Sequence, residues 1–252
     1  MAEDVLNREL QDCISRIDVS ISNIFAQIDI LAREVCAIWQ QQGSPSKAPA
    51  ARDLKSLRPL IDSHLAAPRS CLQGTGVVLE PNVLQDREMY CEWRHLTTNG
   101  RIAPLDLNFN RSSDSYYNYR DMPWFTRPRS TGQRVVIGPY IDLYGQDTYI
   151  LTFAQPLNVD GRFIGIAGAD IALGRFERIL VSGLLKMSHE AFIVTDEGRV
   201  VAANTANWTA GELARHAMSR SENHCTVVDL GEQASHWALV QRPCIRQLAG
   251  AA

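Results

Sequence analysis

The sequence predicts an α+β protein in which a long N-terminal helix is followed by two modules built on antiparallel sheets. Three observations lead to this prediction. Apolar residues recur every three or four positions between Leu10 and Ile38, as on one face of a helix. From Cys71 onward, short runs rich in β-branched and aromatic residues alternate with turn signals such as Asp160-Gly161. After residue 180 a second, smaller group of such runs begins.

The N-terminal segment, residues 1–42, is predicted to form one helix that begins at about residue 3. At ~1.5 Å per residue this helix would be ~60 Å long, which is more than a compact domain of this size needs. Two explanations of its apolar stripe remain open: the stripe packs on the chain's own domain, or it forms the seam of a dimer. The stripe comprises Leu10, Ile14, Ile17, Ile21, Ile24, Ile28, Leu31, Val35 and Ile38.

Residues 43–180 are predicted to form the larger, distal module. The segment "GSPSKAPA" at 43–50 breaks the first helix, and "DLKSLRPLIDSHLAAP" at 53–68 has the apolar spacing of a second helix. The predicted strands lie in "TGVVLEP", "REMYCEWRHL", "QRVVIGPYIDL", "TYILTFAQPL" and "RFIGIAGADIAL". The Asp160-Gly161 pair between the last two strands predicts a tight hairpin, because a type I′ turn needs positive φ at both central residues.

Residues 181–252 are predicted to form a smaller module and a tail. Two hairpins, with strands in "EAFIVT" and "RVVAANT" and in "CTVVDL" and "HWALVQR", flank a predicted helix around "AGELARHAMS" at 210–219. Two hairpins with a helix between them make a small α+β sheet module. The two modules therefore repeat one plan.

Composition and charge exclude several classes of function. The net charge of −3 offers no basic face for nucleic acid. No apolar window approaches the about 18 residues that are needed to span a bilayer. Several acidic residues occur among the first twenty, where a signal peptide would need an apolar core. We therefore expect a soluble, cytoplasmic chain without membrane contact. The six cysteines lack CxxC spacing, which favours reduced thiols over a zinc site or a disulfide framework.

Motifs for catalysis and for cofactors are missing from the sequence. It contains no GxSxG nucleophile elbow, no GxxxxGK[ST] or GxGxxG phosphate loop, and no closely spaced histidine pair for a metal. We therefore predict no cofactor, no metal site and no enzymatic activity.

One passage, "YNYRDMPWFTRPRSTGQRVVIGPYID" at 117–142, combines five aromatic residues with four arginines. Near its end, Tyr140 and Asp142 are two residues apart on a predicted strand and so share a face. Asp170 follows the apolar run "FIGIAGA", where a charge needs a compensating environment. If the two strands are close, a phenol and two carboxylates meet opposite Trp124 and Phe125, and this combination suits an ammonium group.

A purely structural explanation of the same residues stays open. Asp142 could cap a turn, and Asp170 could cap the helix predicted to begin near Leu173. The aromatic residues could belong to the core, and Arg120, Arg127 and Arg129 could neutralise both acids.

The order of these features resembles the double-module Cache (PDC-like) sensor domains: a long helix, "PWF", "GPYID", an Asp-Gly hairpin, "GIAGADI" and a short "FIV…DEGRVVA" module. The resemblance covers essentially the whole chain and implies two PAS-like antiparallel-sheet modules. It implies that the distal module binds a small ligand. In the amino-acid-binding branch, loop residues hold the ligand carboxylate while a tyrosine and two aspartates hold its amino group. The matching positions here are Tyr117, Trp124, Tyr140, Asp142 and Asp170.

The chain departs from that branch at the carboxylate end. Met122 stands where the branch carries arginine, and Phe125 stands where it carries tyrosine. Because an unpaired buried carboxylate would cost several kcal/mol, these changes favour an amine over an amino acid. Arg120, four residues before Trp124, would restore carboxylate binding if the loop has a different register.

The sequence and the resemblance together predict a stand-alone cytosolic sensor that is dimeric through its N-terminal helix and signals through a partner protein. Asp142 and Asp170 would pair with the ammonium and Tyr140 would hydrogen-bond it. Trp124 and Phe125 would enclose the aliphatic part, with Tyr117 at the rim. Two alternatives remain: a small hydrolase or isomerase that uses the two aspartates as acid and base, and a ligand-free interaction module.

Overall fold

A computed structural model describes residues 2–41, 48–68, 70–142, 148–214, 225–230 and 236–242, with side chains in the first helix from residue 7. The helices are α1 (Ala2–Gln40), α2 (Ala51–Leu54), α3 (Arg58–Ala66), α4 (Pro123–Thr131) and α5 (Leu173–Leu184). The strands are β1 (Gly74–Leu79), β2 (Cys91–Leu96), β3 (Ile102–Pro104), β4 (Val135–Asp142), β5 (Thr148–Val159), β6 (Arg162–Ala172), β7 (Glu190–Thr195), β8 (Val200–Ala203), β9 (Thr226–Asp229) and β10 (Trp237–Arg242). Short 3-10 helices cover Lys55–Leu57 and Tyr119–Asp121. The predicted α+β class, a long helix followed by antiparallel sheets, is confirmed.

The chain forms two compact units. One comprises residues 1–23, 138–140 and 173–252, and the other comprises residues 24–137 and 141–172. A four-stranded sheet of order β8-β7-β10-β9 belongs to the first unit, and a six-stranded sheet of order β3-β2-β1-β6-β5-β4 lies almost entirely in the second. The domain boundaries predicted at residues 42 and 180 stay a prediction.

The apolar stripe of α1 is buried by packing within the chain. From Leu10 to Ile38 its residues are buried, except that Ile14 is partly exposed. In the second unit, Phe25 meets Phe153 of β5 edge to face, with 5.5 Å between ring centroids. The first of the two explanations of the stripe, packing on the chain's own domain, therefore accounts for it. Among the described residues, no helix combines the length and the hydropathy needed to cross a bilayer.

The hairpin predicted at Asp160-Gly161 is confirmed. Val159 pairs with Arg162, and the two turn residues have φ of 51° and 75°, as a type I′ turn requires. A β-bulge follows at Leu157 and Asn158 of β5. The long strands β5 and β6 thus run antiparallel through the centre of the larger sheet and carry Asp170 near the end of β6.

Three local predictions need correction. Residues 123–131, expected as loop, form α4, since Pro123 occupies the first turn and Gly132 ends the helix in a left-handed conformation. The strand expected from Arg87 begins only at Cys91. Within the helix expected around 210–219, residues 210–214 form a turn and an isolated bridge, and the rest lies outside the described residues.

One face of the larger sheet is tied to α3 by ion pairs. Glu92 of β2 is only 4% exposed, and Arg58 Nε donates to its Oε1 at 2.9 Å. Tyr90 also donates its hydroxyl to Glu92 at 2.7 Å, and Arg94 pairs with Asp62. Since side chains alternate along a strand, the residues between them on β2 point to the opposite face.

Candidate functional site

Asp170 lies on the face of the larger sheet opposite α3. In the register of the sheet it stands across from Gly74 of β1 on one side and Thr152 of β5 on the other. Its side chain is 8% exposed, and Thr152 Oγ1 donates a hydrogen bond of 2.7 Å to its Oδ1. Among the residues that the structure describes, the carboxyl group of Asp170 is thus buried with the Thr152 hydroxyl as its side-chain partner and with Gly74 on the facing strand.

The environment of Asp170 disfavours its charged form. The pKa of Asp170 is raised from 3.8 to about 7, mainly by burial; the Thr152 hydrogen bond acts in the opposite direction, and the negative charge of Asp142 adds to the increase. Strand β5 lies between β4, which carries Asp142, and β6, which carries Asp170, so the two acids are not on neighbouring strands. The charge of Asp142 nevertheless acts on Asp170, and their joint role in a ligand site stays a prediction. A cation placed beside the two acids would offset both the burial of the Asp170 carboxylate and its repulsion from Asp142.

Strand β2 adds two residues that the sequence interpretation missed. Trp93 is 6% exposed, and its Nε1 has no hydrogen-bond partner among the described residues. His95 stands across from Gly74, its Nδ1 is likewise buried without a described partner, and burial lowers its pKa while the charge of Asp142 opposes that shift. The alternation in "CEWRHL" placed both on one face, but the sequence did not show that β2 lies beside β1.

The aromatic residues of α4 and of the chain before it are buried. Tyr117 and Trp124 are 9% and 8% exposed. Phe125 is fully buried in an aromatic cluster, 5.2 Å from the Tyr119 ring and 5.7 Å from the Phe163 ring. Tyr119 anchors the cluster, since its hydroxyl donates to the Leu79 carbonyl at 2.7 Å. Phe125 is thus placed as a core residue, and its ligand contact, like those of Tyr117 and Trp124, stays a prediction.

The remaining predicted site residues differ in their placement. Met122 is the N-terminal cap of α4 and is partly exposed. Arg120 is exposed in the 3-10 helix, while Arg129 pairs with Glu80 at 2.7 Å. Tyr140 is partly buried on β4, two residues before Asp142, but falls in the first compact unit. Its part in the site stays a prediction.

A family model describes part of the chain. Residues 57–178 match the model for the first PDC sensor domain of methyl-accepting chemotaxis protein-like proteins. This segment contains all six strands of the larger sheet together with Asp142 and Asp170. A stretch of 61 residues is 38% identical to the methyl-accepting chemotaxis protein TlpQ of Pseudomonas aeruginosa, covering 24% of this chain and only 8% of that relative.

Solved structures share the fold over nearly the whole chain. The ligand-binding domain of the amino-acid chemoreceptor PctB of Pseudomonas aeruginosa, in complex with L-Arg, has a TM-score of 0.62 at 17% identity and covers 100% of this chain and 98% of that one. The domain of the chemoreceptor CtaA of Pseudomonas fluorescens, in complex with L-valine, has a TM-score of 0.63 at 14% identity and covers 97% and 98%. Residues 57–178, slightly less than half of the chain, thus match the model of a PDC sensor domain, and the solved structures show that the chain shares the fold of such ligand-binding domains.

Proposed function

We propose that this chain is a ligand-binding sensor that takes a small molecule with a primary ammonium group in the module of residues 57–178. The observation that carries the proposal is the pair of Asp142 and Asp170, one of them buried and with a pKa raised by burial and by the other's charge. An ammonium that enters such a site replaces carboxylate repulsion by charge-assisted hydrogen bonds.

An amine suits the described surroundings better than an amino acid. A ligand carboxylate would need a cationic or hydrogen-bonding partner, because leaving it buried and unpaired costs several kcal/mol. Met122 carries no charge, Phe125 is packed in the aromatic cluster, and Arg120 is exposed. Arg129 is already paired with Glu80. The ligands in two similar structures, L-Arg and L-valine, also carry an ammonium group.

In the proposed complex Asp142 and Asp170 accept hydrogen bonds from the ammonium. Trp124 encloses the aliphatic part of the ligand, with Tyr117 at the rim. No bond of the ligand is made or broken. The output passes to a partner protein, in keeping with the chemotaxis receptors that the sensor segment matches.

The proposal is tested by calorimetry and thermal shift with primary amines and amino acids. Amines should bind and raise the melting temperature, because a ligand that binds only the folded state stabilises it. Asp142→Asn should remove this shift, since it keeps the shape and loses the charge. Asp121→Asn, a change at an exposed acid in the 3-10 helix, is the matched control and should leave binding unchanged. Stabilisation by amino acids alone that depends on Arg120 would refute the amine proposal.

We further propose that the chain self-associates through α1. Because the apolar stripe of this helix is buried within the chain, the contact would use the solvent-facing side of the helix. Val19 lies on that side and is 56% exposed. Light scattering should find a dimer for the wild type and a monomer for Val19→Asp. A wild-type chain that is monomeric at all concentrations would exclude this dimer.

A further inference from the structure

The indole of Trp93 lies across the sheet on positions that only glycine leaves open. A Cβ atom at Gly74 would stand 2.7 Å from Trp93 Nε1, and a Cβ at Gly168 would stand 3.3 Å from Trp93 Cη2. Contacts this short are closer than ordinary van der Waals packing allows. The ring is therefore seated over β1 and β6, with its N–H edge above Gly74.

This N–H edge adjoins the acid pair. Gly74 stands directly across from Asp170, and side chains on opposite positions of an antiparallel pair are about 5 Å apart at their Cβ atoms. The Cβ of His95 would lie 3.5 Å from a Cβ at the same Gly74. Trp93 Nε1, His95 and Asp170 thus surround one glycine, while the charge of Asp142 acts on both His95 and Asp170.

Two nitrogen atoms in this cluster lack a partner among the described residues. Trp93 Nε1 is a donor only, so it needs an acceptor, and His95 Nδ1 can donate or accept according to its tautomer. Buried polar atoms are normally hydrogen-bonded, because an unsatisfied one costs roughly 1–3 kcal/mol. A ligand atom that accepts a hydrogen bond from the indole would satisfy Trp93 Nε1 and would lie beside the His95 imidazole.

The charges of the cluster determine what kind of acceptor fits. A carboxylate or phosphate would sit next to Asp142 and Asp170, and like charges at short range repel. His95 does not offset this repulsion, since burial lowers its pKa and favours the neutral imidazole. A neutral oxygen or nitrogen, such as a hydroxyl or a carbonyl, meets the indole N–H without that penalty.

We propose that Trp93 and His95 form a second polar subsite that receives a neutral hydrogen-bond acceptor of the ligand a few bonds from its ammonium group. The inference rests on the proposed function and narrows it: the ligand is a bifunctional amine rather than an amine with a purely hydrocarbon body. Trp93 is then a specificity-determining residue, because its N–H distinguishes ligands that the two aspartates bind alike.

The test compares amines of equal size with and without a hydroxyl. Ethanolamine is paired with propylamine, 3-aminopropanol with butylamine, and 4-aminobutanol with pentylamine, in calorimetric titrations of the full chain. In at least one pair the hydroxylated member should bind the wild type about tenfold more tightly, the ratio expected of one additional buried hydrogen bond. Trp93→Phe keeps an aromatic ring without the N–H and should abolish this preference while leaving the hydrocarbon amine's affinity nearly unchanged.

Two further variants make the result decisive. His95→Leu should reduce the preference in the same direction, and it tests the subsite even if Trp93→Phe does not fold. Trp208→Phe is the matched control, since the Trp208 Nε1 is also buried without a described partner but lies in the other compact unit. It should leave both affinities unchanged.

The outcomes separate this inference from the proposed function. If hydroxylated and hydrocarbon amines bind equally, or if Trp93→Phe weakens both to the same extent, the subsite is refuted while the amine site stands. If no amine in any pair binds the wild type, the proposed function fails and the subsite fails with it.

Discussion

The affinity for an ammonium ligand should rise about tenfold between pH 6 and pH 8, because Asp170 ionises in this interval. With a pKa of about 7, roughly one tenth of the Asp170 carboxyl groups are charged at pH 6 and roughly nine tenths at pH 8. An aliphatic ammonium with a pKa of about 10 stays charged throughout. Burial lowers the pKa of His95 and raises that of Cys91, so both shifts lead away from the middle of this interval.

The stability of the unliganded chain should change in the opposite direction. The folded-state pKa of Asp170 is raised above its ordinary 3.8, so the folded chain holds this proton more tightly than the unfolded chain. The resulting stability is fully present below that ordinary value and is lost as the pH rises through about 7. Between pH 6 and pH 8 the loss is about 1.4 kcal/mol, or a few degrees of melting temperature for a chain of this size.

Both effects are measured on the same protein with one variant. Calorimetric titrations at pH 6, 7 and 8 give the affinity, and thermal melts without ligand give the stability. Asp170→Asn keeps the shape of the side chain and removes its titration. The variant should therefore bind the amine weakly, and the contribution of this position to the pH dependence of affinity and of stability should vanish. An affinity that is constant from pH 6 to 8 in the wild type, or an unchanged slope in Asp170→Asn, would refute the assignment of the titration to Asp170.

Three further predictions concern the stability of the fold, measured by urea unfolding. Gly165→Ala should destabilise by about 3 kcal/mol or more, because φ is 143° and the new Cβ would stand 2.3 Å from a backbone oxygen, whereas Gly174→Ala, with no atom within 4 Å, should stabilise by about 0.5 kcal/mol. Arg58→Ala should cost about 2 kcal/mol, since it leaves the buried Glu92 carboxylate without its cation. Phe25→Ala should cost about 3–5 kcal/mol, the range for a large cavity in a packed core.

Matched changes at exposed positions show whether burial causes these costs. Arg111 pairs with Glu88, and both side chains are more than half exposed, so Arg111→Ala should change the unfolding free energy by less than about 1 kcal/mol. Leu185 is 65% exposed, so Leu185→Ala should cost less than about 0.5 kcal/mol. Equal costs within either pair would contradict the burial argument, and a Gly165→Ala variant as stable as the wild type would contradict the reported backbone geometry.

The sequence predicted most elements of the fold because their signals are local. The stripe from Leu10 to Ile38 needs only the period of a helix, and the Asp160-Gly161 turn needs only the φ preference of its two residues. The helix α4 was not predicted, although Pro123 in its first turn and Gly132 at its end are local helix signals. Pro128 inside the helix lacks a backbone donor and weakens the helical pattern.

The candidate site was predictable where one strand carries the information. Asp170 was recognisable as a charge after an apolar run, and Tyr140 and Asp142 as a pair on one strand face. Trp93 and His95 could not be recognised as site residues, because their proximity to Asp170 depends on the order of the strands in the sheet. Strand β1 lies between β2 and β6, which carries Asp170, and no local sequence pattern predicts this order of strands.

The sequence by itself determined the fold class, the hairpin turn and the presence of one carboxyl group, that of Asp170, in an apolar setting. The tertiary structure alone decided that the stripe of α1 is buried within the chain, that Phe125 belongs to the aromatic cluster, and that the Trp93 indole rests on glycines beside Asp170. The physical reason is the separation along the chain between the residues that interact. Periodicity and turn chemistry act over a few residues, whereas burial, strand order and the pKa of a carboxylate depend on residues that are distant in sequence and adjacent in space.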